Sequence, residues 1–116
     1  MINVTKPFLP PLEEILPSLE AIWEGCTLSN GGPFHQELER RLSDYLEVPY
    51  VSLFCNATIA LITAQQALGV TGEVITTPYS FVATTHALHW MGNTPVFVDV
   101  EPQSLTIDPG KIDAAI

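Results

Sequence analysis

The sequence predicts an α/β fold with mainly parallel strands and flanking helices. Two segments carry this prediction: YVSLFCNATIALITAQQALGV at residues 50–70 and GEVITTPYSFVATTHALHWMGNTPVFVDV at residues 72–100. Each reads as an apolar strand, a short turn and a helix, and the second segment ends in another strand. The strands are apolar almost throughout, which is typical of a parallel sheet covered on both faces. Helices between consecutive strands imply crossover connections.

The chain before these segments predicts an extended arm and a first helix. Residues 1–11 include three prolines, which stiffen an extended backbone. Pro11 suits the first turn of a helix, and apolar side chains then recur at helical spacing. Pro17 predicts a kink in this helix, and Gly25 can end it.

A turn-rich loop and a second helix follow the first helix. Residues 26–33 read CTLSNGGP, a dense cluster of turn formers, and residues 34–46 carry their apolar side chains on one helical face. Pro49 stops that helix. We expect the later strands near residues 50–55, 73–77 and 95–100, helices near 57–69 and 81–91, and a last helix that Asp108 caps.

Composition limits the classes of function. The 116 residues suffice for one small domain, and 47% are hydrophobic while only 15% are charged. The excess of apolar residues predicts a surface covered by a partner chain or by a further part of the same protein. A net charge of −9 argues against nucleic-acid binding, because neutralising phosphates requires clustered Lys and Arg.

Targeting and metal-binding signals are absent from the sequence. No apolar stretch approaches the length of a membrane span, and the N-terminus lacks a signal-peptide core, so we expect a cytoplasmic protein. Cys26 and Cys55 have neither metal-ligand spacing nor a disulfide framework, and Cys55 reads as a buried apolar residue. His86 and His89 read as helix-face residues, and no metal site is predicted.

Two turns suggest a binding site. Asn56, Ala57 and Thr58 lie where a strand ends and a helix begins, so unpaired N–H groups and the helix dipole suit a phosphate. Phe81 occupies the equivalent place in the second segment. An anion site beside an aromatic ring suggests a flat, phosphorylated cofactor. From the residues alone, a helix cap is an equally good reading of Thr58, and a core position is the better reading of Phe81.

Five segments in order resemble the start of a DegT-type nucleotide-sugar aminotransferase. These are pyridoxal-5′-phosphate (PLP) enzymes of the aspartate-aminotransferase fold. The resemblance covers residues 1–116 and implies an N-terminal arm, helix and loop (1–33) and part of the large PLP-binding domain (34–116), without its downstream half. The segments are VTKPFLPPLEE, LSNGGPFHQELERRLSDYL, CNATIALITAQQALGV, GEVITTPYSFVATTHAL and PVFVDVEPQSLTIDPGKIDAAI.

The resemblance assigns roles to residues of both turns. It implies that Ala57, Thr58 and Ile59 hold the cofactor phosphate, through the Thr58 hydroxyl and the amides of Thr58 and Ile59. Ala57 departs from the common glycine of this turn but keeps its amide. Phe81 matches the aromatic residue that packs against the pyridine ring.

The loop at residues 28–33 matches a family loop near the active site at the dimer interface. There Asn30 and Gly31 can meet the substrate, although a simple interhelical turn is an equally good reading of either residue.

The reactive groups of the family have no match here. PLP transamination needs a lysine that binds the cofactor covalently and an acid that pairs with the pyridine nitrogen. Both lie downstream in the family, and neither Lys6 nor Lys111 matches that lysine. We therefore predict no catalytic residue in this chain. We expect a fragment that is inactive alone and binds PLP weakly or not at all.

For the intact protein the resemblance implies transfer of an amino group from glutamate to a nucleotide-linked keto sugar. Two alternatives remain: a non-catalytic homologue that binds PLP or a sugar nucleotide, and a structural fragment without a ligand. In the family's sheet the strand at 73–77 can pair with that at 95–100, whereas the strand at 50–55 lacks its usual neighbour. Unpaired edges predict self-association, so we expect a homo-oligomer.

Overall fold

The computed structural model describes residues 5–116. The chain divides into two compact units, of which the first ends at Leu53 and the second begins at Phe54. The first four residues of the predicted arm lie outside the described residues. The predicted division between residues 33 and 34 falls inside the first unit and stays a prediction about the intact protein.

The first unit contains two helices near the predicted positions. Helix α1 spans Leu12–Gly25 and helix α2 spans Pro33–Leu46. Pro11 precedes α1 as its N-cap residue, Pro17 lies inside the helix, and the helix ends at Gly25 as predicted. Because Pro33 has no N–H to leave unpaired, it suits the first position of α2.

Ion pairs cover one exposed face of α2. The Arg40 guanidinium donates to both carboxylate oxygens of Glu37 at 2.9 Å and to Asp44 at 2.7 Å, and Arg41 donates to Glu37 at 2.7 Å. Hydrogen bonds from Arg40 and then Arg41 lower the pKa of Glu37 to about 2. Each bonded pair is three or four positions apart on one helix, the spacing at which side chains meet.

The strand predicted at residues 50–55 does not form. This segment has no regular secondary structure, and the Leu53 N–H donates to the Glu39 carboxylate at 3.1 Å instead of to a neighbouring strand. A strand requires a partner for its backbone groups, and the strands of the described residues pair only with each other. The missing neighbour anticipated from the sequence is therefore the reason that this prediction is wrong.

The second unit forms the α/β core that the sequence predicts. Helices α3 and α4 span Ala57–Ala67 and Val82–Trp90, and strands β1 and β2 span Glu73–Thr76 and Thr94–Phe97. The two strands are parallel, with Glu73 opposite Thr94 and Thr76 opposite Phe97. The predicted pairing is thus confirmed, with shorter strands than expected.

Both helices of this unit end in the same way. A glycine with a left-handed backbone follows each helix, Gly69 with φ of 62° and Gly92 with φ of 77°. Each helix end has the two hydrogen bonds of a Schellman motif. The donors and acceptors are Gly69 N–H to Gln66 O and Val70 N–H to Gln65 O after α3, and Gly92 N–H to His89 O and Asn93 N–H to Leu88 O after α4.

The buried interior of the second unit is small. Among the described residues, the buried side chains are those of Ala87, Leu88, Asn93 and Val98. No residue of β1 or β2 is fully buried, so the predicted cover on both faces of the sheet is not observed. A two-stranded sheet has two open edges and no central strand, and its side chains therefore remain partly exposed.

The last segment forms two 3-10 turns, Pro109–Lys111 and Asp113–Ala115, rather than the α-helix that was expected. The predicted cap is confirmed, since the Asp108 carboxylate accepts the Gly110 N–H at 2.9 Å. Among residues 5–116, no helix is long and apolar enough to cross a membrane.

Candidate cofactor site

Asn56 organises the turn before α3. Its backbone is extended, and its side-chain oxygen accepts the Ile59 N–H at 2.9 Å, the geometry of a helix N-cap. The cap is therefore Asn56, and the alternative reading of Thr58 as the cap is wrong. The sequence contained this signal, because Asn is among the residues preferred immediately before a helix.

The amide and hydroxyl donors of this turn differ in their availability. Within residues 5–116, the N–H groups of Ala57 and Thr58 and the Thr58 hydroxyl form no hydrogen bond. The Ile59 N–H, which the resemblance implied as a phosphate ligand, donates to Asn56. A phosphate can meet two amides and one hydroxyl here directly, and a third amide only if the Asn56 side chain moves away.

Phe81 is presented at the start of α4. It is the N-cap residue of that helix, with an extended backbone, and 79% of its surface is exposed. The alternative reading as a core residue is therefore wrong in this structure. Two hydrogen bonds brace the turn around it: Thr77 Oγ1 accepts the Tyr79 N–H at 3.2 Å, and the Ser80 and Thr84 hydroxyls lie 3.2 Å apart.

Helices α3 and α4 pack on each other. The turn before α3 and the turn before α4 both lie in the second unit. Cys55, which was expected to be buried, is exposed next to the first turn. Asn56 Nδ2 lies 3.4 Å from its sulfur. The first turn offers neutral hydrogen-bond donors, which suit a dianionic phosphate, and the second offers an aromatic face, which suits a flat ring.

The predicted substrate residues lie in the first unit. Gly31 has a left-handed backbone with φ of 75°, and its carbonyl accepts the Gln36 side-chain amide at 2.7 Å. This bond ties the loop to the first turn of α2. A hollow of about 240 Å³ lies beside the loop, with mainly apolar walls that include Ile22, Leu28 and Phe34. Neither Asn30 nor Gly31 lines it, and their substrate role stays a prediction.

Lys111 lies close to the carboxylates of two aspartates. Its ammonium lies 3.5 Å from an Asp108 carboxylate oxygen and 3.9 Å from one of Asp99. Lys6, the only other lysine, lies in the exposed arm. Within the part of the chain that the structure describes, no group of three or more His, Cys, Asp or Glu side chains is arranged to hold a metal ion.

Comparison with known proteins decides the family. The model of the DegT/DnrJ/EryC1/StrS aminotransferase family matches residues 12–116. The chain belongs to this family. It is 63% identical over 115 residues to dTDP-4-amino-4,6-dideoxy-D-glucose transaminase of Escherichia coli, an alignment that covers 99% of this chain and 31% of that relative. The chain thus spans about a third of the length of this curated relative.

Solved structures agree with this family assignment. DesI, crystallised in the presence of its TDP-sugar product, is 39% identical with a TM-score of 0.85 over 91% of this chain and 27% of its own. NtdA from Bacillus subtilis, with bound cofactor PMP, is 36% identical with a TM-score of 0.86 over 90% of this chain and 24% of its own. The predicted family and fold class are both confirmed.

Proposed function

We propose that these 116 residues supply the phosphate-binding turn and the ring-covering aromatic residue of a longer PLP-dependent aminotransferase. The reaction transfers an amino group between an amino acid, for which we propose glutamate, and a nucleotide-linked keto sugar. The observation that carries this proposal is the 63% identity over 115 residues to a relative named as a dTDP-4-amino-4,6-dideoxy-D-glucose transaminase.

The donors of the first turn support a phosphate site. The Ala57 and Thr58 amides stand at the start of an 11-residue helix, where the dipole favours a negative charge. The only lysine or arginine of the second unit is Lys111, and it lies beside two carboxylates. The phosphate would therefore be held by neutral donors, with Thr58 contributing through both its amide and its hydroxyl.

The exposed ring of Phe81 supports the second half of the cofactor site. A flat aromatic ring can cover one face of the pyridine ring and exclude water from it. When bound, PLP supplies the electron sink of transamination. The lysine and the acid that this chemistry requires come, in our proposal, from outside residues 1–116, and Asn30 and Gly31 contribute to substrate binding.

Exposed apolar side chains support association with further protein. In the second unit Tyr79, Phe81, Trp90 and Phe97 are each more than half exposed. Where exposed apolar side chains form a contiguous patch, they mark a surface that other protein covers. We propose a homo-oligomer, and multi-angle light scattering of the purified protein would measure its mass directly.

A matched pair of threonine variants tests the proposal. Thr58 and Thr63 lie on the same helix. Only Thr58 belongs to residues 57–59, which we call the phosphate turn. The gene product should bind PLP and exchange amino groups between glutamate and a dTDP-linked 4-keto-6-deoxy sugar. Thr58→Ala should weaken PLP binding about tenfold or more, because a hydrogen bond to a charged phosphate is lost.

Thr63→Ala controls for the loss of a threonine from α3 and should bind PLP like the unaltered protein. Equal PLP affinities for the two variants would contradict the phosphate site. Tight PLP binding without any amino transfer would favour the non-catalytic homologue.

A further inference from the structure

Asn93 is the one buried polar residue of the described chain, with 3% of its surface exposed. Its side-chain Nδ2 donates to Gln65 Oε1 at 3.1 Å, across 28 residues of sequence. A buried amide is costly unless it is hydrogen-bonded, and an apolar residue would avoid that cost. The position therefore calls for an explanation beyond filling the interior.

The Gln65 side chain is oriented for this bond. Its Nε2 donates to the Leu61 carbonyl one turn earlier in α3, at 3.2 Å. With Nε2 held by the Leu61 carbonyl, the Oε1 atom of the Gln65 side chain faces Asn93 and accepts its hydrogen bond. Both ends of the Gln65 amide are thereby used, which restricts its rotamer.

The same two residues also complete the two helix ends. Gln65 gives its backbone carbonyl to the Schellman motif after α3, and Asn93 gives its backbone N–H to the one after α4. Their side-chain bond joins the two motifs directly. Asn93 also immediately precedes β2, whose first residue, Thr94, donates its N–H to the Gly72 carbonyl at 2.9 Å.

We propose that Gln65 and Asn93 are positioning residues that set the phosphate turn against the ring-covering Phe81, an inference that rests on the proposed function. The phosphate turn and Phe81 stand at the starts of α3 and α4, while the Gln65–Asn93 bond ties the other ends of these helices. Neither helix contains proline, so each transmits a change at its end to its start.

Helix length sets the size of the effect. Gln65 lies nine residues after Asn56, about 13 Å along a helix at about 1.5 Å per residue. A tilt of about 5° around Gln65 would displace the phosphate turn by about 1 Å. Displacements of about 1 Å are large enough to change the function of a site about a hundredfold in rate. We expect about a tenfold loss of PLP affinity when the bond is removed.

The chain offers a matched control in the next residue. Gln66 is exposed on α3, whereas Gln65 is half-buried. In the full-length gene product we expect Gln65→Met to raise the Kd for PLP about tenfold, while Gln66→Met leaves it unchanged. Gln65→Glu keeps an acceptor oxygen for Asn93 but loses the N–H that Gln65 donates to the Leu61 carbonyl, so it should recover only part of the affinity that Gln65→Met loses. Binding is measured at least 20 °C below each melting temperature, where every variant is fully folded.

A purely structural bond predicts a different result: Gln65→Met melts at a lower temperature but binds PLP normally when folded, which would overturn the proposal. If Gln65→Met does not fold, Gln65→Asn retracts the same amide by one methylene and should show the same loss.

A second readout separates failure of this proposal from failure of the proposed function. The amide chemical shifts of Thr58 and Val82 in the ligand-free protein should change in Gln65→Met and not in Gln66→Met. Unaltered protein that binds no PLP would refute the function, and unchanged shifts would refute the positioning role.

Discussion

Replacing Asn56 separates the stability of α3 from the affinity of the phosphate turn. Asn56 caps the helix by accepting the Ile59 N–H at 2.9 Å, on the turn that we propose binds phosphate. Asn56→Ala removes this acceptor, and loss of such a cap costs about 1 kcal/mol of folding free energy. Asn56→Asp keeps an acceptor in the same place, and Asp and Asn are equally good caps, so stability should stay within a few tenths of a kcal/mol.

The two variants should rank in the opposite order for PLP binding. A carboxylate at position 56 would repel each negative charge of a bound phosphate, by about 1 kcal/mol at 4 Å in a water-like dielectric and by about 4 kcal/mol at an effective dielectric of 20. The Asn56→Asp affinity should therefore fall at least about fivefold. Asn56→Ala frees the Ile59 N–H, which the phosphate can accept, so its affinity should fall less.

Urea unfolding of the ligand-free protein measures the first ranking, and absorbance titration with PLP measures the second. An Asn56→Asp variant as unstable as Asn56→Ala would show that the side-chain cap does not stabilise α3 in solution. An Asn56→Asp variant that binds PLP as tightly as the unaltered protein would show that no anion binds at this turn.

Three further predictions concern separate parts of the chain. Phe81→Ala should weaken PLP binding in a titration while changing the urea midpoint little, because the ring is mostly exposed. Arg40 and Arg41 lower the Glu37 pKa from 4.5 to about 2, so Glu37 stabilises the fold above pH 4.5, and this contribution is lost as the pH falls toward 2. Glu37→Gln should flatten that part of a plot of urea midpoint against pH, and an unchanged slope would contradict the ion-pair assignment. Asp108→Ala should cost about 1 kcal/mol in urea unfolding by removing the Gly110 cap, whereas Asp108→Asn, which keeps the cap and loses the Lys111 pair, should cost less.

Local signals in the sequence were sufficient for the four α-helices, whereas the pairing of β1 with β2 was expected from the family resemblance. Helical spacing of apolar residues, with Pro11 before α1 and Gly25 at its end, predicted that helix closely. The cap by Asp108 was also predictable, since its partner Gly110 lies two residues away. Such features depend on neighbours within a few residues, and a single sequence contains all of them.

The phosphate turn was predictable only in part. Its location before α3 follows from the strand, turn and helix pattern, and family resemblance pointed to Thr58 and Phe81, whose roles stay predictions. The competition for the Ile59 amide was not predicted, because it depends on the Asn56 rotamer. Likewise, the exposure of Phe81 depends on which other elements pack over α4.

Periodicity, caps and motifs act between near neighbours, so the sequence alone was sufficient for the class of fold, the family resemblance and the positions of the four α-helices. The tertiary structure was needed to show that residues 50–55 remain without a strand partner, since pairing depends on another segment being adjacent. It also decided that Asn93 meets Gln65. That bond joins residues 28 positions apart, and its geometry exists only once both helix ends have packed.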